Sequence, residues 1–240
     1  MLNKKPVLDY GYIALVTTWG SDEEIIEAAR MSTGKGFKSW GTPEAPGDER
    51  LLSYLYKHKH MTPFEMCGMT LEAKCPIFVF REWHRHRTQS FNEMSARYIP
   101  LPDENYLPTI DRCMVKKNDS KNKQSDGFGE NVLTERQTKT WLLELSELYK
   151  HAQHVYEHGL DCGIPKELAR LSVPVARYSR MRATANLRNW LQFLTLRMNI
   201  NAQWEIRMYA NAVGDLIRQC FPRTWELFVS DGIVNHEKQS

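Results

Sequence analysis

The chain lacks the marks of several broad protein classes. It has no run of about 18 apolar residues, so no membrane-spanning helix and no membrane partner are expected. The opening MLNKKPVLDYGYIAL has neither a long apolar core nor a small-residue cleavage site, and does not read as a signal peptide. The five cysteines (67, 75, 113, 162 and 220) form no C-x-x-C pair. An odd, unpatterned set of this kind suits buried free thiols in a reducing compartment, so the expected location is the cytoplasm. Gly34-Lys35-Gly36 makes neither a Walker loop nor a G-x-G-x-x-G fingerprint, and no strand–turn–helix dinucleotide unit is visible. A bound dinucleotide would therefore be held without a Rossmann fold.

Net charge is also scarce, at +3, which does not suit a bulk electrostatic nucleic-acid binder. One local absence is more telling. Residues 168–204 contain no Asp or Glu, yet carry six arginines: Arg170, Arg177, Arg180, Arg182, Arg188 and Arg197. A solvated face normally mixes both signs. A one-sign tract beside Tyr178, Trp190 and Phe193 suits an anionic, partly aromatic ligand; the competing explanation is a plain basic surface patch.

What is present reads as one α+β domain over residues 1–240, with no internal repeat and no linker. Residues 7–18 are apolar and β-branched and predict a strand. Ser21 with Glu24 predicts a capping box opening a helix through Ala29, and residues 33–48, rich in glycine and proline, predict a loop. A short amphipathic helix is expected over 48–58. Thr62 with Glu65, and Pro63 between them, predict a second capping box. A strand over 68–74 and a helix from Pro76 through Arg87 follow. Residues 111–131 are polar and lysine-rich and predict a mobile surface loop. A long helix over 134–158 carries an apolar stripe of Trp141, Leu145, Leu148, Ala152 and Val155. Two more helices are expected over 186–198 and 202–220. In the first, Arg188 and Gln192 share one face, while Leu187, Trp190, Leu191 and Leu194 pack the other.

The densest chemistry lies in residues 85–98, RHRTQSFNEMSARY, which contain no glycine or proline. Arginine forks match phosphates and carboxylates bidentately. Interleaving with Phe91, Met94 and Tyr98 suits a wall half buried and half facing a polar ligand. The histidines are weaker signals. His84-x-His86 has no third ligand at a recognisable spacing, and His151, His154 and His158 fit a solvated helix flank, so no metal is expected. From composition and spacing alone the ligand is an anionic molecule with a planar aromatic partner.

Residues 85–95 resemble the signature of the flavin-dependent thymidylate synthases: Arg-His-Arg, seven residues, then Ser. Two further blocks resemble the family in the same order. One is His60-Met61-Thr62-Pro63-Phe64-Glu65 followed by Pro76-Ile77-Phe78-Val79. The other is Asn186-Leu187-Arg188, Leu196-Arg197 and Ala202-Gln203-Trp204-Glu205. Three ordered blocks are far more specific than one motif. The resemblance implies a thymidylate-synthase-complementing fold with a central, mainly antiparallel sheet flanked by helices. It implies conversion of dUMP to dTMP with FAD as cofactor, and with methylenetetrahydrofolate and NADPH as co-substrates. It also implies a homotetramer whose active sites are built from several subunits.

Carried over residue by residue, the resemblance places Ser32, His60, Thr62, Glu65, Arg85, His86, Arg87, Glu93, Asn186, Leu187, Arg188 and Gln192 around the flavin. It places Glu82, Trp83, His84, Arg85, Glu93, Met94, Ser95, Ala96, Arg97, Arg170 and Arg197 around the nucleotide, with Arg197 as the catalytic group over the uracil. Three positions depart from the familiar pattern: Glu82 stands in place of Gln, Gln192 in place of Asn, and Asn201 in place of His. The rival readings are an arginine-rich nucleotide or single-strand nucleic-acid binding module and a histidine-metal hydrolase. Flavin colour, oligonucleotide binding and bound zinc would distinguish the three.

Overall fold

The structure, a computed structural model, describes residues 2–42, 44–114 and 133–231. A five-stranded antiparallel sheet organises them: β1 (Lys4–Val7), β2 (Gly11–Trp19), β3 (Gly68–Pro76), β4 (Ser90–Glu93) and β5 (Tyr178–Asn186), in the order β1-β2-β3-β5-β4. Most of the strand expected over 7–18 is β2, but Val7 instead ends β1, and a turn between them makes a hairpin. Leu8 takes a left-handed φ of 59° in the turn, and Val7 pairs with Gly11. A Cβ at Gly11 would collide with the Tyr209 hydroxyl, so only glycine lets that ring close over the hairpin.

Strand periodicity sorts the side chains. Along β3, Met69, Leu71, Ala73 and Cys75 point into the core, while Thr70, Glu72 and Lys74 are only half-buried. Along β5, Met181, Ala183 and Ala185 are buried, and Arg180 and Arg182 are exposed. The helices are α1 (Asp22–Arg30), α2 (Glu49–Lys57), α3 (Ile77–Trp83), α4 (Ile110–Met114), α5 (Glu135–Asp161), α6 (Lys166–Ala169), α7 (Leu187–Arg197), α8 (Trp204–Cys220) and α9 (Pro222–Ser230).

Several local expectations fail for identifiable reasons. Ser21 does not cap α1; its hydroxyl donates to the Glu23 carboxylate at 2.6 Å instead. Thr62–Glu65 is one 3-10 turn without a side-chain cap. The helix expected through Arg87 stops at Trp83, leaving the Arg-His-Arg motif in a turn. Residues 111–114, placed in a loop from sequence, belong to α4; the remainder of that stretch, 115–131, lies outside the described residues. Only Cys67 and Cys75 of the five thiols are buried. Helix α5 is capped by a full box between Thr134 and Gln137, but its stripe is not a core face. Trp141, Leu148 and Val155 are exposed.

The part of the core that fixes the site is aromatic. Trp83 at the end of α3 stacks on Phe193 of α7 at 4.8 Å, and Trp190 meets Phe193 edge-on at 5.9 Å. Both indole N–H groups are satisfied, Trp83 by the Gln89 amide oxygen at 2.9 Å and Trp190 by the Met69 carbonyl at 3.0 Å. Buried rings with partnered N–H groups combine apolar area with fixed orientation. They lock the end of α3 against α7.

Candidate active site

That lock brings Glu82, His86 and Arg197 together. Arg197 occupies the last turn of α7, where a cation complements the helix dipole. Its Nη1 donates to the Glu82 carboxylate at 2.7 Å, its Nη2 to the Glu82 carbonyl at 3.0 Å, and its Nε to His86 Nε2 at 2.9 Å. A guanidinium has only donors, so His86 Nε2 must accept, and the imidazole is neutral with its proton on Nδ1. Burial, and next the positive charge of Arg197, push the His86 pKa down to about 4. His84 is turned elsewhere. Its ring packs edge-on against Phe91 at 4.8 Å and its Nε2 lies 3.2 Å from Met181 Sδ.

A second group lies around Arg97. Strand β4 carries Asn92 and Glu93 opposite Arg182 and Met181, and the Met94 amide donates to the Arg180 carbonyl at 2.8 Å. Ser95 Oγ accepts from the Arg97 amide at 3.3 Å. The Arg97 side chain pairs with Glu167 of α6 at 3.3 Å, and Arg170 Nε donates to the Glu167 carbonyl at 3.3 Å. Ala96 is buried, Met94 half-buried, and Arg97 and Arg170 are exposed.

A third group sits at the start of α7. Asn186 caps the helix by accepting from the Asn189 amide at 3.0 Å, and Arg188 pairs with Glu65. Arg188 and Gln192 are exposed, whereas Leu187, Trp190, Leu191 and Leu194 are buried, as the helical spacing predicts. Thr62 and His60 are exposed nearby, with the His60 ring stacked on Tyr54 at 5.7 Å. Ser32 is exposed, its hydroxyl donating to the Ala29 carbonyl. Arg85 and Arg87 are exposed, and among the described residues their guanidinium groups have no partner.

Among the described residues, His84 Nε2 and Met181 Sδ touch between the first group and the second, but no hydrogen bond or ion pair joins the arginines of the three groups to one another. The half-buried wall expected over 85–98 is present at Phe91 and Met94, but Tyr98 is exposed. Trp83 and Leu187 have their side chains in the core, so neither side chain faces a ligand surface in this chain. Two residues not singled out from sequence have a place here. Gln89 fixes Trp83, and Glu167 pairs with Arg97. Glu167 is the acid that immediately precedes the arginine tract, a signal that was legible.

Residues 14–223 match the model of a family described as thymidylate synthase complementing protein. Over 224 residues, 93% of this chain, the sequence is 40% identical to the flavin-dependent thymidylate synthase of Wolbachia pipientis wMel, covering 75% of that protein. It is also 40% identical over 224 residues to the flavin-dependent thymidylate synthase of Thermosipho melanesiensis, covering 92% of it. Among solved structures, it is similar to the UMP/dUMP methylase PolB of Streptomyces cacaoi bound with 5-Br dUMP, with a TM-score of 0.82 and 32% identity over 95% of this chain and 98% of that one.

Proposed function

This chain belongs to the thymidylate synthase complementing protein family, and on that footing we propose that it is a flavin-dependent thymidylate synthase, a methyltransferase converting dUMP to dTMP. The reading extends to FAD as the flavin, methylenetetrahydrofolate as carbon donor and NADPH as reductant. It includes a cytoplasmic homotetramer with active sites shared between subunits. The observation that carries it is the fixed guanidinium of Arg197 beside the Arg-His-Arg signature.

Carbon 5 of uracil is a poor nucleophile until negative charge on the ring is stabilised. A guanidinium aimed at N3 and O2 does this without titrating, and a preorganised donor costs no reorganisation during the reaction. Arg197 takes that role. Arg97 and Arg170, exposed and near one another through Glu167, hold the phosphate and orient the nucleotide. Ser95 adds a positioning hydrogen bond.

The residues around the third group fit an anionic dinucleotide such as FAD. Among the described residues Arg85 and Arg87 have unpartnered guanidinium forks, and Arg188 lies in the first turn of α7. When bound, the flavin supplies the reducing equivalents for making the methyl group. Thr62, His60, Glu65, Asn186 and Gln192 line the approach to that region, and the backbone of Leu187 is anchored to the Cys67 carbonyl at 2.8 Å.

A protein nucleophile is not needed. Burial pushes the Cys67 thiol up to about 12, and burial drives the Cys75 thiol well above its ordinary range. Ser95 would need a base, and His86 already accepts a hydrogen bond from Arg197. The exposed apolar stripe of α5, with Trp141, Leu148 and Val155 facing outward, supports an assembly that covers it.

The test is purification followed by assay. A yellow protein with an oxidised-flavin spectrum that forms dTMP from dUMP, methylenetetrahydrofolate and NADPH supports the reading. Colourless protein that retards oligonucleotides would replace it with the binding-module alternative.

A further inference from the structure

We propose that Glu82 is a positioning residue that clamps Arg197 from two sides, and that its carboxylate is not itself a nucleotide contact. This rests on the reading of Arg197 given above. The guanidinium is a plane, and two contacts leave it free to pivot about the line joining them. Here there are three, from Nη1 to the Glu82 carboxylate, from Nη2 to the Glu82 carbonyl and from Nε to His86. Glu82 supplies two of the three, through side chain and main chain, because the end of α3 stops under the last turn of α7.

Of the five N–H donors of a guanidinium, three are thus engaged. One remains on Nη1 and one on Nη2, a pair suited to two acceptor atoms of a planar ring. The Arg197 side chain is 16% exposed and that of Glu82 43%, so the carboxylate sits at the rim and the arginine deeper. Two effects oppose one another. The carboxylate offsets part of the positive charge that Arg197 directs at the ring, but it also fixes the plane. At a half-exposed carboxylate, solvent screens the first effect, whereas orientation is not screened at all. Fixing the plane is therefore the larger contribution.

The test compares Glu82→Ala with Glu82→Gln in the flavin-loaded enzyme, with bound flavin reporting correct folding. Glu82→Ala should lower kcat by about 10-fold or more while changing dUMP affinity, read by calorimetry, less than about 3-fold. Glu82→Gln keeps an acceptor oxygen opposite Nη1 and should recover kcat to within about 3-fold of wild type. A second readout does not involve turnover. The Arg197 Nε–H, bonded to His86, should give a protected 15N signal in wild type and Glu82→Gln that exchanges faster in Glu82→Ala. Weaker dUMP binding with kcat intact in Glu82→Ala would make Glu82 a nucleotide contact and overturn the proposal. No change in kcat or in the arginine signal would overturn it too. A wild type that forms no dTMP counts against the functional reading alone, and the arginine signal then decides on the clamp.

Discussion

Arg197 and Arg97 sit in opposite physical settings, although the same resemblance assigns both to one nucleotide. Arg197 is 16% exposed and fixed by three hydrogen bonds. Arg97 is 56% exposed and held by one ion pair to an equally exposed Glu167. Exposed pairs of the second kind contribute on the order of 1 kcal/mol or less, since solvent screens them and two long side chains must be ordered. The first arginine is therefore preorganised by the fold of a single chain. The second is free to be recruited by a ligand or by another copy of the chain. Under the proposed function this contrast divides the work, with Arg197 serving the transition state and Arg97 serving binding.

Arg197→Ala should produce the largest effect and sharpen the contrast. It should lower dTMP formation on the order of 100-fold or more while FAD remains bound. Arg197→Lys should also be poor, because an ammonium cannot span the positions that a planar fork satisfies. Near-normal turnover in either variant removes Arg197 from the mechanism. Arg97→Ala and Arg170→Ala should each weaken dUMP affinity about 10-fold, as expected for loss of a charge-assisted hydrogen bond, with a smaller effect on kcat. Equal losses in kcat and affinity at Arg97 and Arg197 would erase the distinction between them.

Ser95→Ala should cost less, with weaker dUMP binding and slower but measurable turnover, and Ser95→Cys should stay active. Enzyme incubated with dUMP and reductant, then quenched and weighed intact, should show no added nucleotide. An adduct on Ser95 formed at the rate of turnover would overturn the non-covalent reading. Protonation of His86 should have the smallest effect on rate across the working pH range. Its pKa is pushed down to about 4, so it stays neutral between pH 5.5 and 8 and adds no inflection to the rate profile. The unfolded chain, with a histidine pKa near 6.5, binds this proton more tightly than the folded chain does. Stability should therefore fall as pH drops from about 6.5 toward 4, and be unaffected by this group above that window. An NMR titration of the imidazole with a midpoint near 6.5 would contradict this.

How far the sequence foretold the molecule depends on which signal each element carries. The helices α7 and α8 were legible because apolar residues recur at helical spacing from Leu187 to Leu194 and from Ile206 to Ile217. Strand β5 was not. Its buried face is Met181, Ala183 and Ala185, small or unbranched residues that permit close packing but lack a β-branched signature. Its outward arginines drew attention as a ligand tract instead. Strand β4 is four residues long, too short for periodicity to register. The stripe on α5 was legible as an apolar face, but spacing does not say what such a face meets.

At the site, residue types were legible and partnerships were not. Arg197 was singled out, but its pairing with Glu82 and His86 joins positions 115 and 111 residues away, across α3 and α7. Glu82 could be read from sequence only as extra negative charge near the nucleotide. The structure turns that charge toward Arg197.

From the proposal that active sites are shared between subunits, we infer that Arg197 acts from one chain while the exposed Arg97 and Arg170 complete the site from another. Subunit mixing tests it most directly. Arg197→Ala and Arg97→Ala proteins, lowered at limiting dUMP on the order of 100-fold or more and about 10-fold respectively, are dissociated together, reassembled and assayed for dTMP. The account predicts activity well above either parent, because some sites in the hybrids receive both intact arginines. If the mixture is no more active than the average of the two parents, both arginines belong to a site within one chain and the division is wrong.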